Sequence, residues 1–249
     1  METIEKNKYG LVGKNISYSF SEGYFAQKFK DLGLTGYSYR NFDLSQIDEF
    51  EKLILENKGL KGLNVTIPYK EAVMPYLDKL DKKAKKIGAV NTIKFTKKGL
   101  KGYNTDIYGF KKSIKPFLKK HHKRALILGT GGASKAVAFV FKELGIKFKF
   151  VSRSPKKNQL QYTDLNEKLM EKYTVLVNCT PLGTFPDIKE KPTIPYAFIS
   201  DRHLLFDLIY NPEKTAFLQE GEKQGAMIRN GLRMLELQAE KSWKIWNSK

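Results

Sequence analysis

The 249-residue sequence has a single cysteine, nine prolines and no long apolar run. One thiol, Cys179, excludes an internal disulfide and cannot by itself build a zinc site, which fits a reducing compartment. Following the apolar run from Val175 to Asn178, it reads as a small buried hydrophobe and not as a catalytic thiol. No window approaches the roughly eighteen apolar residues of a membrane span. The opening METIEKNKYG also lacks the apolar stretch of a secretory signal. The expectation is a cytoplasmic protein with no membrane partner. Acidic residues are scarce too: 26 Asp plus Glu stand against 45 Lys plus Arg, a net charge of +19. Such a balance attracts polyanions, but its distribution argues against a nucleic-acid partner. Lys82, Lys83, Lys85 and Lys86 lie beside Leu80 and Ile87, as on a solvated helix face. The basic stretch from Lys119 to Arg124 contains no Phe, Tyr or Trp to stack a base. Steering of small anionic ligands is what the charge implies.

The 41% hydrophobic content, with 13 Tyr and 16 Phe, is that of a globular chain, and the length suits two domains. From Tyr9 to about Thr105, short apolar runs alternate with helix-period segments, the pattern of β-α-β units. YGLVG from Tyr9, TGYSYRNF from Thr35 and GLNVTI from Gly62 read as strands. Glu22 to Leu32 reads as a helix stopped by Gly33, where a left-handed cap is favoured. A second helix is expected from Ser45, with Asp48 as a variant capping box and Ile47, Phe50 and Ile54 buried. The stretch from Asn91 to Asp106 alternates on both sides of Lys98-Gly99 and predicts a hairpin. Ile107 to about Leu118 follows as a helix interrupted by Pro116, and the domain boundary is placed there. Beyond it come strands at Ala125, Lys147, Thr174 and Leu204, a helix from Ser134 to Leu144, and a long terminal helix from Gly231 to Trp246. The expected fold class is α/β: a substrate domain over 1–118 plus 231–249, and a Rossmann-type domain over 119–230, with the C-terminal helix returning to the first.

LILGTGGASKA, from Leu126, sets Gly129, Gly131 and Gly132 between a predicted strand and a predicted helix. Glycines there let the backbone turn tightly and approach a pyrophosphate, while the helix N-terminus holds its charge. Ser134 stands where a third glycine is usual. An NAD site normally carries Asp or Glu about twenty residues on, to hold the ribose 2′-hydroxyl. This chain instead reads Val151-Ser152-Arg153-Ser154, then Lys156 and Lys157, which favours the 2′-phosphate of NADP.

In the first domain, polar residues gather where predicted strands end: Ser17, Ser19 and Ser21; then Asn64, Thr66 and Lys70; Asn91 and Thr92; and Asn104, Thr105 and Asp106. Serines also cap helices, and Asn-Thr pairs occupy turns. Four such clusters upstream of a dinucleotide motif suit a polyhydroxylated substrate, with one cation for its carboxylate or its reacting oxygen.

NVTIPYK at Asn64, GAVNT at Gly88, NTD at Asn104, GTGGASKA at Gly129, NCTPLG at Asn178, DLIYNPEKTAFL at Asp207 and GLRMLELQA at Gly231 together resemble the shikimate dehydrogenase family over almost the whole chain. The resemblance implies reversible NADPH-dependent reduction of 3-dehydroshikimate to shikimate, a step of aromatic amino-acid biosynthesis. It implies that Lys70 and Asp106 are the catalytic pair, and that Ser19, Ser21, Thr66, Asn91, Asp106 and Gln238 bind shikimate. Tyr210 is placed near the substrate carboxylate, and Asn64 is a further substrate-binding candidate. For the cofactor it implies Gly129, Gly131, Gly132, Ala133, Ser134, Ser152, Arg153, Ser154, Lys157, Thr180 and Gly231, with no metal. A monomer or homodimer is expected.

The sequence departs from the family pattern in three places. Asn15 and Tyr18 replace a usual proline and histidine. The stretch from Arg153 to Thr174 is short, so the second cofactor-domain helix is expected to be trimmed or lost. Lys157 stands where an arginine is common, which implies looser NADP binding or weaker discrimination against NAD. A quinate/shikimate or aminoshikimate dehydrogenase, or a catalytically silent NADP-binding paralogue, are the alternatives; retention of Lys70 and Asp106 argues against the last.

Overall fold

The computed structural model describes residues 7–16 and 19–248, so Ser17 and Tyr18 lie outside the described residues. The chain divides into two compact units, Met1–Thr105 with Ala239–Lys249, and Asp106–Gln238.

The first unit runs β1 (Asn7–Gly13), α1 (Phe20–Asp31), β2 (Tyr37–Asp43), α2 (Glu49–Glu56), β3 (Leu60–Val65), β4 (Lys79–Leu80), α3 (Lys82–Ile87), β5 (Thr92–Thr96) and β6 (Gly99–Tyr103). Its six strands are ordered β2-β1-β3-β5-β6-β4. β1 is parallel to β2 and β3, while β5 and β6 form the expected antiparallel hairpin, closed with Thr96 opposite Gly99. Successive side chains of a strand point to opposite faces, so β1 feeds two cores. Tyr9 and Leu11 pack with Phe25, Phe29, Tyr39 and Trp246, whereas Val12 packs with Phe50, Leu53, Leu63 and Ile93.

α1 begins at Ser19, whose Oγ accepts the Ser21 N–H at 3.2 Å, and Gly33 follows it with φ +62°. α2 starts later than the sequence suggests. Its cap is Asp48, which makes no side-chain capping bond, and the Glu49 carboxylate accepts the Gln46 N–H at 2.9 Å. Ser45 therefore caps nothing, because the chain leaves β2 through a turn that delays the first helical residue to Glu49.

The second unit contains α4 (Asp106–Ile114), β7 (Arg124–Leu128), α5 (Gly132–Glu143), β8 (Lys147–Val151), α6 (Glu167–Lys172), β9 (Val175–Asn178), β10 (Leu204–Asp207), α7 (Ala216–Lys223) and β11 (Met227–Arg229). α8 (Leu232–Trp246) follows and passes from this unit into the first at Ala239. The five strands are all parallel, ordered β11-β10-β9-β7-β8. Leu126 to Leu128, Val175 to Val177 and Leu204 to Phe206 are buried on both faces, which is why they read as unbroken apolar runs. The boundary differs from the expected one near Leu118. Phe110 of α4 meets Phe141 and Phe206 edge-on, with centroids 5.5 and 5.3 Å apart, so α4 groups with the second unit. Leu232 to Gln238 likewise stay with that unit, and only the remainder of α8 joins the first. The second helix of the cofactor sheet is trimmed, as expected: a 3-10 turn at Tyr162–Asp164 and the six-residue α6 replace it. Among the described residues, no helix is long and apolar enough to cross a membrane.

All three histidines serve the second unit's scaffold. The His121 and His122 rings both meet the Arg202 carbonyl, at 3.0 and 3.1 Å. His122 Nδ1 accepts the Lys119 N–H, and His203 Nδ1 accepts the Ser200 N–H. An Nδ1 that accepts carries no proton, so each ring is neutral and uses Nε2–H to donate, His203 to the Met170 carbonyl at 3.1 Å. Burial holds both rings below the ordinary histidine pKa.

Two predictions follow from this packing. A Cβ on Gly62 overlaps the indole of Trp246, whose Nε1 donates to the Ile93 carbonyl at 3.0 Å. Gly62→Ala should cost roughly 1–3 kcal/mol in thermal or denaturant unfolding. Because the folded state binds fewer protons at His122 and His203 than the unfolded chain, stability from these groups is lost as pH falls through about 6.5. Melting curves at pH 7 and 5.5 should show a smaller acid-dependent drop for His203→Gln than for the unsubstituted protein.

Candidate active site

Open α/β sheets bind ligands beyond the carboxyl ends of their strands, where the strand order reverses. In the first sheet that point lies between β1 and β3. The Thr66 N–H donates to the Val12 carbonyl at 2.8 Å and the Lys14 N–H to the Ile67 carbonyl at 3.2 Å, so the two strand ends are stitched together. The segment after β3 then runs through consecutive turns from 67 to 73. The Tyr69 hydroxyl donates to the Leu44 carbonyl at 2.7 Å, and the Lys70 carbonyl accepts the Val90 N–H at 2.7 Å. These anchors on both sides hold the half-buried Lys70 in place.

Beside it lies a buried polar network. Asn64, 4% exposed, accepts from the Tyr39 hydroxyl at 2.9 Å and donates to the Asn91 carbonyl at 3.2 Å and the Ser242 hydroxyl at 3.0 Å. Asn91 Oδ1 accepts the Thr105 N–H at 2.7 Å and the hydroxyls of Thr105 and Thr92, each at 3.1 Å. Ser21, buried at the start of α1, hydrogen-bonds Tyr39. The structure thus brings Ser21, Asn64 and Asn91 into one network, with Ser19 capping the helix that carries Ser21. Burial of Tyr39 pushes its phenol far above the ordinary range, so it acts only as a neutral donor. A clamp on α8 holds α1: Glu240 accepts from Lys28 Nζ at 2.6 Å and from the Tyr24 hydroxyl at 2.5 Å. The sequence reading noted Thr92 and Thr105 without a role and missed Tyr39 and Ser242. Ser242 had one signal, a polar residue one helical turn after Gln238.

In the second unit, the reversal lies between β7 and β9. β7 ends at Leu128, Gly129 follows with φ +100°, and α5 begins at Gly132 under the cap residue Gly131. A Cβ on Gly129 lies 3.0 Å from the Thr180 methyl and 3.2 Å from the Cys179 carbonyl. Space above Gly131 is open, and no side chain caps α5. A helix N-terminus left uncapped in this way suits an anion. Ala133 follows in the first turn, and the buried Ser134 turns its hydroxyl back onto the Gly131 carbonyl at 2.6 Å, stiffening the loop from within. At the end of β8, Ser152 Oγ accepts the Ser154 N–H, and Arg153, Ser154 and Lys157 are exposed. This set of glycine cradle, helix terminus and nearby cations fits a phosphorylated dinucleotide.

A second buried network, which the sequence reading overlooked, supports Thr180. Asn178 Oδ1 accepts both the N–H and the hydroxyl of Thr180, at 3.0 and 2.6 Å, while its NH2 donates to Asp207 at 3.1 Å. Asp207 also accepts from the Thr215 hydroxyl at 2.7 Å and the Ile209 N–H at 3.0 Å. Burial raises its carboxyl pKa to about 6 despite these three donors. Cys179 is half-buried by surface area, and its thiol is pushed up by burial and by Asp207, so it does not supply a thiolate. The half-buried Tyr210 follows in the same turn, and the Gly231 N–H donates to the Ile209 carbonyl at 2.9 Å, with no room for a Cβ against Leu208. Asp106, 5% exposed, opens α4, where the helix dipole favours its charge, and Gln238, 9% exposed, lies on α8.

A family model described as the shikimate dehydrogenase substrate binding domain matches residues 11–93. The chain is 38% identical over 248 residues to shikimate dehydrogenase (NADP(+)) from Clostridium botulinum, covering 95% of each. A crystal structure of shikimate dehydrogenase from Aquifex aeolicus matches with a TM-score of 0.88 and 33% identity, covering 99% of this chain and 94% of that one. Shikimate 5-dehydrogenase from Thermus thermophilus, solved in complex with NADP(H) and shikimate, matches with a TM-score of 0.85 and 29% identity, covering 97% and 91%.

Gly129→Ala forces a side chain into the left-handed region and against Thr180. It should weaken binding of the dinucleotide by about tenfold or more, on the order of 1.4 kcal/mol, as read by titration of intrinsic fluorescence with NADP.

Proposed function

This chain belongs to the shikimate dehydrogenase family, and we propose that it is an NADP-dependent oxidoreductase that reversibly reduces 3-dehydroshikimate to shikimate in aromatic amino-acid biosynthesis. One observation carries the reading. The second sheet pairs its positive-φ glycine loop with a strand, β8, that is followed two residues on by Arg153 and not by a carboxylate. This goes with a first unit whose strand ends carry Lys70 beside amides and hydroxyls.

The first unit supplies Ser19, Ser21, Thr66 and Asn91, whose hydroxyls and amide suit the carboxylate and ring hydroxyls of the substrate; Tyr210 and Gln238 complete the set. Asn64 is bonded on both sides of its amide inside the protein, and we give it the role of holding Asn91. The second unit holds NADP with Gly129, Gly131, Gly132 and Ala133 at the pyrophosphate, and Ser152, Arg153, Ser154 and Lys157 at the 2′-phosphate. Ser134, Thr180 and Gly231 shape the surrounding loops.

Bound NADPH supplies the hydride. As charge develops on the substrate carbonyl oxygen, the Lys70 ammonium stabilises it and delivers a proton from Nζ. Asp106 orients that ammonium and accepts from a ring hydroxyl. In the reverse direction Lys70 takes the hydroxyl proton back. A single cysteine fits a reducing compartment, and we place the enzyme in the cytoplasm, as a monomer or homodimer.

The test is oxidation of shikimate by purified protein, followed by absorbance of the reduced nicotinamide, with quinate and NAD run in parallel. Shikimate with NADP should be the preferred pair. Lys70→Ala should lower kcat by about 10²–10⁴-fold with little change in KM for shikimate. Unaltered turnover in that variant removes Lys70 from the mechanism.

A further inference from the structure

One heavily shared group in the first unit is not used by the proposed mechanism. Thr92, with no exposed surface, opens β5, and its hydroxyl has four polar neighbours: Asn91 Oδ1 at 3.1 Å, Thr105 Oγ1 at 3.1 Å, Ser242 Oγ at 2.8 Å and Asn64 Nδ2 at 3.3 Å. Thr105 and Ser242 are themselves 3.1 Å apart, so three hydroxyls form a closed triangle.

Either hydroxyl can donate along each edge of the triangle, and one arrangement makes Asn91 Oδ1 the common acceptor. A hydroxyl carries one proton and two acceptor sites. The Thr105 N–H points at Asn91 Oδ1 at 2.7 Å, so that end of the amide is the oxygen. Thr92 and Thr105 then both donate to the same oxygen. Ser242 accepts from the Asn64 amide and donates into the triangle, to Thr92 at the shortest distance. With these donors around Oδ1 the amide of Asn91 keeps one orientation, and its NH2 end donates to the Thr105 hydroxyl at 3.0 Å. The same bonds fix Thr105, the residue that precedes Asp106 in the chain.

We propose that Thr92 is a positioning residue for the reaction: its hydroxyl braces the Asn91 amide and Thr105 against each other, and so holds two substrate-facing positions in register. The proposal rests on the functional reading above. Removing the hydroxyl without changing shape leaves Asn91 Oδ1 with one donor fewer and Ser242 without its closest partner. The Thr105 N–H still marks which end of the Asn91 amide is the oxygen, but with one anchor fewer the amide and Thr105 shift from the placement that the substrate requires.

The experiment compares unsubstituted protein with Thr92→Val, Thr92→Ser and Ser113→Ala by steady-state kinetics and melting temperature. Ser113 is a comparably buried serine of the second unit that bonds only the Phe110 carbonyl, at 3.0 Å. Thr92→Val should raise KM for shikimate about tenfold, the effect of roughly one lost buried hydrogen bond, while KM for NADP stays unchanged. Thr92→Ser, which keeps the hydroxyl, should restore KM, and Ser113→Ala should leave both constants alone. If Thr92→Val does not fold, Ser242→Ala is read the same way, with the same expected direction. A folded Thr92→Val with an unaltered shikimate KM, or with both KM values shifted equally, overturns the positioning role. Absence of shikimate turnover in the unsubstituted protein overturns the functional reading itself, and the role with it.

Discussion

A single buried amide joins most of the first unit. Asn64 takes a proton from Tyr39 of β2 and gives its own to the start of β5 and to Ser242 of α8. In the low-dielectric interior each of those groups is costly to leave unpaired, so the network forms as a whole or not well at all. The end of α8 is bound to the unit by the same logic, with the Trp246 indole donating to Ile93 and Glu240 holding Lys28 and Tyr24. The polar residues assigned to substrate binding therefore rest on a scaffold that is itself polar and fully buried. That burial gives the amides and hydroxyls one orientation each.

Both sheets use the same geometric device. In each, the first strand is flanked on its two sides by parallel strands, and loops leaving the strand ends diverge there. In the first sheet the divergence carries hydroxyls, amides and Lys70. In the second it carries Gly129 against Thr180, with Asn178 and Asp207 bracing the far side. The two divergences differ in kind: one is lined with polar side chains, the other with bare glycine backbone.

The shortened stretch after β8 has a structural remedy. Leu160 returns to pair in parallel with Val151, accepting the Ser152 N–H and donating to the Phe150 carbonyl, both at 2.9 Å. The strand end that carries Arg153 is thereby anchored by backbone bonds where a longer helix is trimmed away. Lys157 sits in the resulting turn, next to Asn158, which takes φ +70°. The cationic surface proposed for the 2′-phosphate is thus held by a compact loop, with one planar guanidinium and ammonium groups beside it.

How much of this was legible in the residues varies with the range of the interaction. Apolar alternation, the Lys98-Gly99 turn, the glycine loop and the arginine at the strand end are local signals, and each fixes its element because side-chain period and backbone sterics act within a few residues. Helix starts are less secure: Ser45 has the right chemistry for a cap, yet the turn after β2 postpones α2 to Glu49. The boundary near Leu118 followed from Pro116 and the basic stretch, but Phe110 found its partners on α5 and β10, which no local pattern announces. Asn64 reads in sequence as a ligand for substrate, and only the fold shows its amide turned inward. The sequence by itself determined the element types, the two α/β patterns and the chemical character of each strand end. The tertiary structure alone decided which polar groups pair with one another, because residues 64, 92, 105 and 242 meet only after the sheet and the terminal helix have closed around them.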